Sequence, residues 1–241
     1  MIKEIKNISE YNWIEEGLEK WPENPTKDGF RIWHAIPKGF PAYCKILPPI
    51  YVDLDYSQDS RTWADIKRQS KDEFLLSNRL TFPKPNFKAQ RILWKELAKL
   101  HKTPFTAQIS DHHLWSYSWP IRYVSGGAEG EIAPEVAIRL SELLSTTISG
   151  EYFFSYFDGA VWNDCIRRIF KSSISSGIHI LQMSEMLPGT QAYWWGIKRD
   201  WCLVVDYDSE FSFFGGSEDL VDQLSRDSII ECIRVEIDTR L

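Results

Sequence analysis

The chain has 241 residues, of which 43% are hydrophobic and 26% charged, and its formal net charge is −6 at pH 7. This length and composition are typical of a globular protein that buries its own core without disulfides or metals. The acidic balance argues against a nucleic-acid partner, because proteins that bind phosphate backbones carry clustered Lys and Arg. No apolar run approaches the ~20 residues of a membrane span, so no membrane partner is expected.

Four cysteines, Cys44, Cys165, Cys202 and Cys232, lie far apart in the chain. No pair has CxxC or CxxH spacing, which argues against a zinc ribbon and against a dense disulfide framework. The N-terminal segment lacks the apolar stretch of a secretory signal. We therefore expect reduced, mostly buried thiols in a cytoplasmic, bacterial protein.

The N-terminal part of the chain contains one predicted helix and one predicted hairpin. Ser9 is a suitable N-cap for a short helix that ends at Trp21. In residues 30–36 every second side chain, from Phe30 to Ile36, is apolar except for His34. This period of two residues predicts a strand with one apolar face. A second strand over 42–47 is expected to pair with the first across a Pro-Lys-Gly turn at 37–39.

Helical patterns dominate the middle of the chain. A short helix is expected over 60–70, and a stronger one over 86–101, where apolar residues recur at the helical period: Ala89, Leu93, Leu97 and Leu100. An extended aromatic segment over 105–123 and a glycine-rich loop over 125–131 follow. Residues 134–147 begin with proline and predict a further amphipathic helix.

The C-terminal part of the chain is rich in strand patterns. Both faces of residues 151–159 are apolar or aromatic, which predicts a central strand covered on both sides. A helix is expected over 218–226, a final strand over 229–237, and further strands over 178–183, 192–197, 201–207 and 211–214. Because several connections have hairpin length, we expect an α+β fold with a mixed, mainly antiparallel sheet and a few flanking helices.

No internal repeat, low-complexity tract or Pro/Gly-rich linker interrupts the chain. A single domain over 1–241 is therefore the simplest interpretation. An alternative within it is a division into two lobes, at about 1–104 and 105–241.

Acidic residues lie on one face of the predicted strand 201–208. Asp206 and Asp208 are about 7 Å apart along such a strand. With Glu210 nearby, they are able to hold a divalent cation or to act as an acid/base pair. A half-solvated antiparallel strand produces the same alternation without any site, so a structural interpretation stays open.

His112 and His113, next to Asp111, form the densest titratable cluster of the chain. A metal site built from Asp206, Asp208 and one of these histidines is an alternative to a structural role for the cluster. Adjacent residues of an extended chain point to opposite faces, so only one of the two histidines is expected to reach a given ion. Because no EF-hand spacing is present, no cofactor is expected.

Two further features have structural explanations. His34 lies on an apolar face and is expected to be a hydrogen-bonded core residue rather than a ligand. The segment Gly215–Ser217 precedes a helix, a place where backbone amides can bind phosphate. The carboxylates of Glu218 and Asp219 in the first helical turn would repel an anion, so Ser217 is predicted to be the helix N-cap instead.

The stretch from Tyr193 to Ser217 is the most distinctive part of the chain, with Trp194, Trp195 and Trp201 around a turn that contains Arg199. Exposed aromatic rings stack on sugars and bases and anchor protein interfaces. These four residues are therefore candidate binding residues, together with three acidic neighbours: Asp206, Asp208 and Glu210. The alternative is that the large rings simply fill the core.

Several segments together resemble an uncharacterised family of bacterial proteins: FRIWHA, RTWADI, LAKLHKTP, EYFFSYFDG and YWWGIKRDWCLVVDYDSEFSFFGGSEDLVDQL. The last segment is similar to that family in its tryptophan pair, its turn, its acidic strand end and the Gly-Gly-Ser before the last helix. The chain departs from the family pattern at Gly196, where proline is expected, and in the turn at 198–200. The resemblance implies no particular activity.

These observations favour a cytoplasmic, non-enzymatic binding protein of the immunity or antitoxin kind, which masks a basic protein partner with an acidic, aromatic surface. No GxSxG or cysteine-nucleophile signature is present. The alternative is a metal-dependent hydrolase or small-ligand-binding enzyme that uses Asp206, Asp208 and a histidine. A third hypothesis is a carbohydrate-binding module, which requires Trp194 or Trp195 to be exposed.

Overall fold

The computed structural model describes residues 2–20, 29–54, 58, 60, 62, 65, 88–110, 119–120, 122–126, 132–147, 150–157, 167–173, 190–205 and 211–241. Contacts divide the chain into two compact units, of which one combines residues 1–48 with 127–241 and the other spans 49–126. The second unit is therefore an insertion in the sequence of the first.

The described residues form an α+β fold, as the sequence predicts, with one large and one small antiparallel sheet. The strands are β1 (Lys3–Ile5), β2 (Ala42–Ile46), β3 (Ile50–Asp53), β4 (Ala89–Ile92), β5 (Tyr123–Ser125), β6 (Glu151–Phe157), β7 (Arg167–Ser173), β8 (Thr190–Gly196), β9 (Cys202–Val205), β10 (Ser212–Gly216) and β11 (Cys232–Val235). The helices are α1 (Asn12–Gly17), α2 (Trp94–Leu100), α3 (Pro134–Thr147) and α4 (Glu218–Arg226), with short 3-10 helices at Ile8–Tyr11 and Ile32–His34.

The large sheet belongs to the first unit and has the strand order β1-β7-β6-β8-β9-β10-β2-β11, whereas the second unit holds the order β4-β3-β5. In the large sheet β6 is an interior strand between β7 and β8, as its two apolar faces predict. The strand β11 lies at one edge of the sheet and β1 at the other.

One face of the large sheet carries a transverse row of side chains that are in register from strand to strand: Phe170, Phe154, Trp194, Leu203, Phe214 and Cys44. The helices α3 and α4 cover this face, and their apolar sides join the same buried cluster through residues such as Leu140 and Leu224. Both helices occur where the sequence predicts them. Ser217 caps α4 by accepting a hydrogen bond from the Leu220 N–H at 3.3 Å.

The opposite face of the sheet is covered by the N-terminal segment of the chain. Rings of Tyr11 and Trp13 contact Trp195 edge to face, with centroid distances of 5.9 and 6.5 Å. Phe40 lies against Gly215, where a Cβ atom would approach the ring to 2.5 Å, so only glycine fits at that position. Large aromatic side chains thus pack against the sheet from both sides.

The predicted strand over 30–36 is wrong. Residues Ile32–His34 form a 3-10 helix, and β2 pairs with β10 and β11 instead of with this segment. Ile32 and Ile36 are fully buried, and their spacing of four residues suits a helical turn as well as a strand. The apolar pattern of so short a segment therefore does not distinguish the two periods.

The predicted helix over 86–101 is correct only in its second half. Residues Ala89–Ile92 form β4, which pairs with β3 in the second unit, and α2 begins at Trp94. Pairing with β3 supplies backbone hydrogen bonds that outweigh the helical pattern of the first half. Of the other predicted elements, 178–183 and most of 60–70 lie outside the described residues. The strands β1, β3 and β7 were not predicted from the hydrophobic pattern of the sequence.

His34 holds the 3-10 helix in place through its ring nitrogens. Its Nδ1 accepts a hydrogen bond from the Arg31 N–H at 3.0 Å, and its Nε2 lies 3.0 Å from the indole Nε1 of Trp33. Both neighbours are N–H donors, so a protonated imidazole would face them with N–H groups of its own. Burial also lowers the pKa of His34 below its usual value of 6.5, although the Glu19 carboxylate opposes part of this effect.

We predict that acidification destabilises the protein through His34. Because folding lowers this pKa, the unfolded chain binds more protons than the folded one just below pH 6.5. The contribution of neutral His34 to the unfolding free energy is complete above pH 6.5. It is lost as the pH falls towards the pKa of His34 in the folded protein, which is lower than that in the unfolded chain. Replacing His34 by Asn, which keeps an acceptor near the Nδ1 position, should flatten the dependence of the urea-unfolding free energy on pH. This role would be contradicted if the unfolding free energy of the original protein and that of the His34→Asn variant changed equally with pH between about pH 8 and pH 5.5.

Candidate functional site

The three candidate tryptophans of the C-terminal half belong to the core. Trp194, Trp195 and Trp201 each expose 2% or less of their surface. Trp194 points to the face covered by α3 and α4, and Trp195 to the face covered by Tyr11 and Trp13. Trp201 stacks on Phe214 with a centroid distance of 6.3 Å. None of these rings offers a flat exposed surface to a ligand, so the alternative of a structural role applies to them.

The turn between β8 and β9, at residues 197–200, is exposed. Arg199 has a φ of 58°, in the left-handed region, and its N–H donates to the Gly196 carbonyl at 2.8 Å. Its guanidinium lies 5.7 Å from the centre of the Trp13 ring and 3.9 Å from the Glu10 carboxylate. Arg199 therefore ties the turn to the N-terminal segment, and its charge is already partly balanced within the protein.

Gly196 is needed for the close packing of this turn. A Cβ atom at Gly196 would lie 2.7 Å from the indole nitrogen of the buried Trp201 and 2.5 Å from a carboxylate oxygen of Asp200. The proline expected from the family resemblance would meet the same obstacle. The position of the Trp201 ring thus favours glycine at residue 196.

An open cleft of about 400 Å³ lies beside this turn, and its lining includes Glu151, Lys198 and Asp200. The Glu151 carboxylate binds the Lys171 ammonium group at 2.6 Å. The cleft thus contains carboxylates and an ammonium group rather than one kind of charge. Among the residues that the structure describes, no group of three or more His, Cys, Asp or Glu side chains is placed to hold a metal ion.

The acidic residues Asp206, Asp208 and Glu210 and the histidines His112 and His113 lie outside the described residues. Their grouping into a metal or acid/base site therefore stays a prediction. The strand β9, which precedes the three acidic residues in the sequence, is an interior strand of the sheet and ends at Val205.

A second acidic region, which sequence analysis did not single out, lies at the edge of the sheet. Residues 217–241 contain seven acidic and three basic side chains. They form α4, the edge strand β11 and the chain that follows it. We name β11, the first turn of α4 and residues 236–238 the acidic edge. The density of carboxylates in this segment is visible in the sequence, but its position at a sheet edge is not.

Some charges of the acidic edge are satisfied internally. The Arg234 guanidinium binds Glu218 and, at 3.1 Å, Asp222. Asp219, Glu236 and Asp238 are exposed. Glu236 interacts electrostatically with Arg234, and the Arg31 guanidinium donates a hydrogen bond to the Asp238 carbonyl at 2.6 Å. The acidic edge itself has four carboxylates (Glu218, Asp219, Glu236 and Asp238) and one guanidinium (Arg234), so it is negatively charged, and Arg31 adjoins it.

Asp227, at the C-terminal end of α4, has a structural role instead. Its carboxylate accepts hydrogen bonds from the N–H groups of Ile229 and Ile230 and from Arg139, all at 2.8–2.9 Å. Burial alone would raise the pKa of Asp227, but these donors and the Arg139 charge outweigh it and lower the pKa. Asp227 thus fixes the connection between α4 and β11.

The backbone of β11 has a side that faces away from the sheet. The Leu47 N–H donates to the Glu231 carbonyl at 2.9 Å, and Ile233 and Val235 follow as the next alternate positions paired with β2. In an antiparallel ladder the intervening residues direct their N–H and C=O groups outwards. Those residues are Cys232 and Arg234, and no described strand lies beyond them.

We predict that the buried tryptophans contribute to stability and not to ligand contact. Replacing Trp195 by Ala should lower the urea-unfolding free energy by about 3–5 kcal/mol, because it leaves a large cavity between the sheet and the N-terminal segment. Trp33→Ala, at a partly exposed position, is the matched control and should cost clearly less. Equal losses for the two variants would contradict the assignment of Trp195 to the core.

In the part of the chain that the structure describes, no helix is both long and apolar enough to cross a membrane. Comparisons of the chain with protein-family models, with curated proteins and with solved structures find no match. The resemblance of the segment around Trp194 and Trp195 to a bacterial family stays a prediction.

Proposed function

We propose that this protein is a non-enzymatic binding protein that masks a basic segment of another protein along the acidic edge, as an immunity or antitoxin protein covers its target. The observation that carries this proposal is the coincidence of a sheet edge with a surplus of carboxylates. The strand β11 is the last strand of the large sheet, and exposed acidic groups surround it.

The outward backbone groups of β11 suit the addition of a partner strand. Cys232 and Arg234 present N–H and C=O groups along the free side of the strand. An extended peptide can add to such an edge through main-chain hydrogen bonds, which provide affinity with little dependence on sequence. The side chains next to the edge then select the partner.

Charge provides that selection. Asp219, Glu236 and Asp238 lie at the acidic edge, and Arg234 is balanced by the carboxylates of α4. A basic strand is therefore attracted to the carboxylates of this edge, whereas an acidic strand is repelled by them. Exposed charges of this kind mainly accelerate association and are screened by salt, since the Debye length is about 10 Å at 0.1 M.

The cysteines are consistent with a cytoplasmic setting for this function. Cys44, Cys202 and Cys232 are free thiols in the structure, as is usual in reducing compartments. The hydrolase and carbohydrate-binding alternatives gain no comparable support. The predicted metal ligands lie outside the described residues, and Trp194 and Trp195 are buried.

We predict that the protein binds a labelled peptide of about ten residues that alternates Lys and Val, a length sufficient to span an edge strand. Fluorescence anisotropy should show binding at low salt that weakens by about tenfold or more at 0.3 M salt, because the attraction is screened. The same peptide with Glu in place of Lys should not bind. Binding of both peptides, or of neither, would contradict the proposal.

Reversal of charge at the acidic edge should weaken that binding selectively. The double variant Glu236→Lys/Asp238→Lys should lower affinity for the Lys/Val peptide by about tenfold, equivalent to ~1.4 kcal/mol. The matched control is Glu4→Lys/Glu151→Lys, which changes the net charge equally but on β1, at the opposite edge, and on β6. An equal loss in both variants would show an effect of overall charge rather than of this edge.

Main-chain pairing with β11 has a test of its own. Arg234→Pro removes an outward N–H from the edge strand, whereas Arg234→Ala removes the same ion pairs with Glu218 and Asp222 but keeps that N–H. We expect the proline variant to bind the Lys/Val peptide several-fold more weakly than the alanine variant, at similar folding stability by circular dichroism. Equal affinities would exclude strand addition at this position.

A further inference from the structure

Two thiols lie next to each other where β11 joins the sheet. In the register of β11 with β2, Cys232 lies opposite Ile46 and Arg234 opposite Cys44. Cys44 and Cys232 are therefore diagonal neighbours on the same face, and both belong to the cluster beneath α3 and α4. The two thiols are close enough to shift each other's pKa.

The two thiols differ in their access to solvent. Cys44 is fully buried, whereas Cys232 is only partly buried at the sheet edge. The hydroxyl of Ser225, on α4, lies 3.6 Å from the Cys232 sulfur. Cys232 is therefore the thiol of the pair nearer to solvent, and Cys44 lies beside it on the inner strand β2.

The surroundings also shift the pKa values of the two thiols in opposite directions. The neighbouring Cys44 thiol lowers the pKa of Cys232 despite its burial, and the Ser225 hydroxyl acts in the same direction. The neighbouring Cys232 thiol raises the pKa of Cys44, and burial raises it further. The thiolate is the reactive form of a cysteine. Because the two pKa values are shifted in opposite directions, the thiolate is favoured at Cys232 over Cys44.

We propose that Cys232 is a peroxide-reactive thiol and that Cys44 is its resolving partner, so that hydroperoxides convert the pair into an intramolecular disulfide between β11 and β2. This inference is independent of the proposed function, because it concerns covalent chemistry of the protein alone.

The chemistry proceeds in two balanced steps. The Cys232 thiolate attacks one oxygen of hydrogen peroxide, an S–O bond forms as the O–O bond breaks, and the leaving hydroxide takes up a proton to become water. The Cys44 sulfur then attacks the sulfenic sulfur of Cys232. An S–S bond forms, the S–O bond breaks, and the proton of the Cys44 thiol leaves with the hydroxide as a second water. Two thiols thus lose two electrons in total to one peroxide.

The position of β11 makes the bond sterically accessible. Diagonal partners in an antiparallel sheet are about 7–8 Å apart at Cα, whereas disulfides usually need less than about 7 Å. The strand has β2 as its neighbour on one side and no described strand on the other, so it can shift by the required fraction of an ångström. An interior strand with neighbours on both sides would resist such a shift.

The test uses the 241-residue chain with Cys165→Ser, in which three cysteines remain: Cys44, Cys202 and Cys232. After reduction and exposure to hydrogen peroxide, we expect a mass loss of two hydrogens and a Cys44–Cys232 peptide in non-reducing mass spectrometry. In the Cys44→Ser variant, dimedone should trap a sulfenic acid at Cys232 at least about tenfold faster than at Cys202. Cys202 is the matched control, because it is fully buried and burial raises its pKa.

Two results would overturn the proposal. One is equal reactivity of Cys232 and Cys202 in the folded protein, since both thiols would then react only through unfolding. The other is a peroxide product without the Cys44–Cys232 link, in which Cys232 proceeds to higher oxidation states although Cys44 is present. If Cys44→Ser fails to fold, Cys44→Ala serves the same purpose, because alanine suits an apolar environment. The readout is a covalent bond, so a failure to bind basic peptides leaves this test unaffected.

Discussion

The structure depends on the burial of both faces of β8, where two adjacent tryptophans point in opposite directions. Neighbouring side chains of a strand alternate between the faces of a sheet, so Trp194 and Trp195 each require a separate apolar cover. The helices α3 and α4 supply one cover, and Tyr11 and Trp13 of the N-terminal segment supply the other. A tryptophan buries on the order of 150–250 Å², so loss of either cover would expose a large apolar area.

This two-sided cover encloses the described middle of the sheet. The row of side chains from Phe170 to Cys44 is in register across six strands and is enclosed by α3 and α4. Buried polar side chains such as Lys45 of β2 and Ser155 of β6 occur within the sheet, whereas the exposed charges described above lie at a turn and at a sheet edge. The turn that contains Arg199 is bound to the N-terminal segment, whereas the acidic edge presents backbone and carboxylates to solvent.

The helix α4 links the acidic edge to the core. Its apolar residues Leu220, Val221 and Leu224 pack on the sheet, while Glu218 and Asp222 on its other side bind Arg234 of β11. The same helix places Ser225 beside Cys232. Charge balance and thiol environment at β11 therefore have a common origin in the way α4 lies over the end of the sheet. A strand with one neighbour is also the part of a sheet that opens most readily, which suits both binding and covalent change.

The sequence by itself determined the α+β class, the helices α3 and α4 and the strands β2, β6 and β8, because hydrophobic period, Pro134 and the Ser217 cap are local signals. Tertiary structure decided what residues 30–36 and 89–92 became, since their apolar spacing suits more than one element and partners elsewhere in the chain select between them. It also decided that the tryptophans of the 193–217 block are core residues and that β11 is an edge. A strand pattern shows which faces are apolar, but the pairing of β2 with β11, almost two hundred residues later, follows only from long-range packing.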